Sequence, residues 1–97
     1  MVVGILMIDM VIPYVETIKE RRNVMRSLKD MIRKKFNVSV SEITTSEEIN
    51  SRAQLAVAAV SGDSSYLQSI LENVYNLVDS FHGDKVVSYK TELIQYE

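Results

Sequence analysis

RAQLAVAAVSGDSSYLQSILENVYNLVDSFHG, residues 52–83, decides the fold. Arg52 to Ser61 is apolar and rich in small residues (Ala53, Ala56, Ala58, Ala59) and reads as a strand. Its pattern leaves open which face meets the helices. Gly62-Asp63 makes the turn, and Asp63 stands where a helix N-cap accepts backbone N–H bonds. Leu67, Ile70, Leu71, Val74, Leu77, Val78 and Phe81 then keep helical spacing, and Gly83 reads as a C′ glycine.

Working outward, Val86 to Ile94 reads as a closing strand. On the other side, Val38 to Thr45 alternates apolar and polar residues, as a strand with one wet face does. The polar stretch from Thr45 to Ser51 joins it to the decisive segment as a loop. Val2 to Ile12 is apolar on both parities except at Asp9, the mark of a central strand covered on both sides. Gly4 within it either admits a close-packed helix or simply weakens the strand end. Pro13 stops this strand, and Thr17 with Glu20 forms a capping box. Ile18, Met25, Leu28, Ile32 and Phe36, flanked by Val24 and Met31, continue as a helix to about residue 36.

The order is β-α-β-β-α-β over one domain, residues 1–97. It is the split βαβ pattern of ferredoxin-like α+β folds, with a four-stranded antiparallel sheet and two helices on one face.

Composition narrows the class. The longest apolar run, Val2 to Ile12, falls short of the about 20 residues a membrane span needs. The start also lacks the basic residues and small-residue cleavage site of a signal peptide. The chain has no cysteine, so disulfides and thiolate metal sites are excluded. A soluble cytoplasmic protein with no membrane partner is expected.

The net charge of −2 hides a segregation. Residues 17–35 carry eight basic side chains against Glu20 and Asp30, a net of +6; the remainder has three basic and eleven acidic residues, a net of −8. At 100° per residue, Lys19, Arg22, Arg26, Lys29 and Arg33 fall within roughly 80° of one another and form a stripe about 20 Å long. Such a stripe suits the phosphate backbone of RNA or an acidic protein partner. Two blander readings compete: a solvated helix face, or cations answered by Glu72 and Asp79 of the second helix. Arg21 falls on the apolar side instead, either snorkelling past the sheet end or pairing with Asp9.

A second surface is the sheet face opposite the helices. Val3, Ile5, Met7 and Val11 fall there, with Val87, Tyr89, Thr91 and Leu93 expected beside them from the last strand. Homo-oligomerisation, a dimer foremost, would cover this apolar face; so would the C-terminal segment or the 45–51 loop folding across it.

Catalysis has little support. His82 is the only histidine and reads as a helix C-terminal cation or a surface residue. No nucleophile–base pair is readable, and Gly4, Gly62 and Gly83 form no phosphate-binding loop. No catalytic residue, cofactor or metal site is expected. Neither Val2–Ile12 nor Arg52–Val57 contains an aromatic residue on which RNA bases could stack.

Several segments in order carry a family resemblance. They are the opening Met1-Val2-Val3-Gly4-Ile5-Leu6, Ile12-Pro13, TIKERR at 17–22 with Val24 to Leu28, Phe36 to Val40, and Arg52-Ala53 leading to Val60-Ser61. Together they resemble the YlxP-like bacterial proteins, a family of unknown function (503). The resemblance implies a compact ferredoxin-like domain and, from genes often found beside translation and ribosome-maturation genes, a connection to the ribosome. Met7, Val11 and the segment 44–51 depart from the family pattern. The combined expectation is a non-catalytic RNA- or ribosome-associated module using the basic helix. The alternative is a homo-oligomeric interaction module using its sheet face.

Overall fold

The computed structural model describes residues 1–12, 18–43 and 52–97, excepting the side chains of Ile18, Glu20 and Arg21. The capping box at Thr17 and Glu20 and the 45–51 loop therefore lie outside the described residues, as does the side-chain placement expected for Arg21.

Strand β1 (Val2–Val11) leads to helix α1 (Ile18–Lys35), then to β2 (Ser39–Ile43), β3 (Arg52–Ser61), helix α2 (Ser64–His82), and β4 (Val86–Gln95) after one 3-10 turn at Gly83–Lys85. The sheet order is β2-β3-β1-β4, antiparallel at every pairing. Both helices cover one face: α1 lies against β2, while α2 packs on β1, β3 and β4. The expected fold is the observed one.

Strand periodicity sets the core. In β1, Val2, Leu6, Ile8 and Met10 point at the helices, and the alternate residues are only half-buried. Ala53, Leu55 and Val57 of β3 and Val40 of β2 join them, which settles the face of β3 that the sequence left open. Met25, Leu28 and Ile32 come down from α1, and Leu67, Leu71, Val74 and Val78 from α2. Phe81, placed on that stripe by spacing alone, is 59% exposed because the core ends one turn earlier.

Gly4 lies under α2. A Cβ there would sit 2.8 Å from Leu71 Cδ1 and 2.9 Å from Leu67 Cγ, so the close-approach reading of this glycine holds. Asp63 caps α2 as expected: its Oδ1 accepts the amides of Ser65 at 2.9 Å and Tyr66 at 3.2 Å. Gly83 corrects the sequence reading. Its φ of −58° is right-handed helical, and the chain winds on into the 3-10 turn instead of reversing through a left-handed cap.

Candidate functional site

The stripe on α1 follows from how that helix is seated. Burial of Met25, Leu28 and Ile32 turns the opposite side outward, leaving Lys19, Arg22, Arg26 and Arg33 exposed and Lys29 half-buried. Among the described residues, no carboxylate lies within ion-pair distance of Lys19, Arg22, Arg26 or Lys29. Glu72 and Asp79 of α2 do not answer them.

Arg33 behaves differently from the other four cations of the stripe. Its Nη2 donates to the Val40 carbonyl at 3.0 Å, and its Nη1 is 3.9 Å from Asp30. It ties the end of α1 to β2, so four cations remain without a described carboxylate. Lys34 and Lys35 extend the charge through the last turn. Beyond Arg33 the surface dips into an open depression that includes Asn37, Ser39 and Val60, not an enclosed substrate chamber.

The opposite face of the sheet is set by register. Across β3, β1 and β4 the rows are Val60–Val3–Ile94, then Ala58–Ile5–Glu92, then Ala56–Met7–Lys90, then Gln54–Asp9–Ser88. Ser39 and Ser41 of β2 extend the second and third rows, and Ile43 the fourth. Val3, Ile5 and Met7 thus lie together as expected, and Val11 stands beyond the polar fourth row, paired with Arg52.

The β4 contribution corrects the sequence reading. Tyr89, Thr91 and Leu93 pair with Ile8, Leu6 and Gly4, so they lie on the helix side. Tyr89 stacks there on Tyr75 of α2, with ring centroids 3.7 Å apart. Val87 falls at the register shift opposite Asp9 and Met10. The edge strand instead presents Ser88, Lys90, Glu92 and Ile94 to the open face.

Asp9 is the polar centre of that face, a role sequence spacing did not reveal. Its Oδ1 accepts from Gln54 Nε2 at 3.0 Å and its Oδ2 from the Ser88 hydroxyl at 3.2 Å, joining three strands. It therefore faces away from both helices. Only knowledge of which strands pair could have found this set, since its members lie 45 and 79 residues apart.

At His82 the surroundings favour the neutral imidazole over a helix cation. Burial, with Lys85 adding and Asp84 opposing, holds its pKa below the ordinary histidine value. Its Nδ1 is buried with no hydrogen-bond partner among the described residues. Tyr75 is pushed above the usual tyrosine value by burial, Asp79 and Tyr89. Among the described residues, no group of three or more acidic or histidine side chains gathers to hold a metal ion. Among the described residues, no helix is long and apolar enough to cross a membrane.

The element order, sheet order and two-helix layer define a ferredoxin-like α+β domain. The model of the family described as "Protein of unknown function (DUF503)" matches residues 3–91, and the chain belongs to this family. YlxP is another label for it. No curated protein matches the chain.

Among solved structures, the de novo designed protein Foldit4 is similar at a TM-score of 0.59 and 13% identity, covering 99% of this chain and 98% of that one. SnoaB, a cofactor-independent oxygenase from Streptomyces nogalater, is similar at 0.58 and 8% identity, covering 99% and 93%. An uncharacterised NIPSNAP domain protein from Burkholderia xenovorans is similar at 0.55 and 8%, covering 100% and 95%. At such identities the likeness is one of fold, and the fold hosts both an enzyme and a designed chain with no natural role.

Proposed function

We propose that the protein is a non-catalytic module that binds the phosphate backbone of RNA, on or near the ribosome, through α1. The reading rests on one observation: Lys19, Arg22, Arg26 and Lys29 form a solvent-facing row with no described carboxylate to answer them, in a chain whose net charge is negative. Maintaining like charges at i, i+3 and i+4 costs helix stability, so the row needs an outside compensation. Phosphates supply it, because each cation that displaces a condensed counterion gains salt-sensitive affinity. Within their own bounds the four strands place no aromatic side chain on the open sheet face, and Tyr96, just past β4 and paired with Met1, adds one ring at its margin, so binding through phosphates fits better than the stacking of successive bases.

The test is co-sedimentation with ribosomes and binding to single-stranded RNA across a salt series. At ~0.7 per phosphate contact, four cations give a log–log salt slope of about −3. Arg22→Glu with Arg26→Glu should roughly halve that slope and abolish low-salt co-sedimentation, with the circular dichroism spectrum unchanged. Wild-type protein that stays in the supernatant at low salt overturns the reading.

A further inference from the structure

We infer that the open face of the sheet is a self-association surface, covered in solution by the same face of a second copy of this chain. The sequence predicts for β1 a strand covered on both sides, and among the described residues only the helix side is covered. Val3, Ile5 and Met7 of β1 meet Val60, Ala58 and Ala56 of β3 and Ile94 of β4, with Val60 62% and Ile94 42% exposed. The C-terminal segment does not fold across them: Tyr96 donates its amide to the Met1 carbonyl at 2.9 Å, extending the β1–β4 ladder in the plane of the sheet.

Three features of this face fit a second copy. The first is anatomy, an apolar centre edged by Ser39 and Ser41 on one side and Lys90 and Glu92 on the other, which is the core-and-rim pattern of specific interfaces. The second is area. Three strands of ten residues and one of five, at about 3.3 Å per residue and about 4.8 Å between strands, give a footprint of about 550 Å². Two such faces together exceed the about 1,000 Å² that separates specific interfaces from incidental contacts.

The third is charge. Lys90 stands in the Met7 row and Glu92 in the Ile5 row of the same edge strand. A two-fold axis lying across the strands between Ile5 and Met7 sets Lys90 of each copy against Glu92 of the other. Face-to-face sheets lie about 10 Å apart, a gap the two side chains span together. The same operation brings the Asp9 row under the apolar Val3 row. Asp9 meets that burial with both carboxylate oxygens already accepting hydrogen bonds from Gln54 and Ser88.

This surface is independent of the phosphate-binding reading, because α1 lies on the other side of the sheet. Light scattering coupled to size exclusion tests it directly. Wild-type protein should run at twice the chain mass, and Met7→Lys should halve that mass while the circular dichroism spectrum holds. Lys90→Glu and Glu92→Lys, each counted twice by the two-fold, should each raise the dissociation constant roughly tenfold. The double variant, with both charges exchanged, should restore dimerisation. A wild type that is monomeric at every concentration overturns the proposal, even if its sheet face captures a different protein. So does a dimer that survives Met7→Lys, or a double exchange that does not recover.

Discussion

His82 shows how a single side chain can be legible in kind and misread in state. Position at the end of α2 made it a natural cation, but burial and Lys85 favour its neutral form. The sign of the pH effect follows. A folded-state pKa below the unfolded value of about 6.5 means the unfolded chain takes up the proton first. The contribution to stability is complete above about pH 6.5 and is lost as pH falls from there to the folded-state value. The urea midpoint should therefore fall between about pH 7.5 and about pH 5.5, and His82→Gln should flatten that fall. Identical pH profiles for the two proteins would remove the assignment. Arg33 carries a related lesson. Helical spacing put it in the stripe, but its bond to the Val40 carbonyl depends on where β2 returns, which no spacing rule contains.

Between elements, the tightest meeting is α2 on β1 at Gly4. Gly4→Val puts branched carbons where Leu67 and Leu71 already stand, an overpacking that costs about 1–3 kcal/mol. Urea denaturation measures it, and a variant as stable as wild type would mean that α2 is free to ride up. The elements themselves were largely legible. Strand–turn–helix in residues 52–83 followed from Ala- and Val-rich β3, the Asp63 cap and the spacing of Leu67, Leu71, Val74 and Val78. The facing of β4 was not legible, for a physical reason. Its even and odd residues are both partly apolar, and as an edge strand it is exposed on both faces along most of its length. Register alone assigns its sides, and the shift between Asp9 and Met10 alters that register once. The site divides the same way: α1 and the β1 half of the open face were readable from local periodicity, whereas the Asp9–Gln54–Ser88 set needed long-range pairing.

At the scale of the whole molecule, charge and apolar surface occupy opposite sides of one sheet. Along α1, Lys19–Arg22, Arg22–Arg26, Arg26–Lys29 and Lys29–Arg33 are like-charged neighbours, each costing about 0.2–0.5 kcal/mol before screening. Added sodium chloride should therefore raise the midpoint of urea unfolding while it lowers RNA affinity, two responses of opposite sign from one row of side chains. A midpoint that falls with salt over the same range would show that the row is not under strain. Nothing in this division requires the helix layer and the open sheet face to compete.

The Tyr75–Tyr89 stack has a practical consequence. The chain contains no tryptophan, so its ultraviolet signals come from tyrosines and two phenylalanines without a dominant indole. Two of the five tyrosines are locked ring against ring, one on α2 and the other on β4. Stacked chromophores couple and lose mobility together, so this pair gives the molecule a native optical gauge. Its near-ultraviolet dichroism reports whether the edge strand is docked against the helix layer, with no label added.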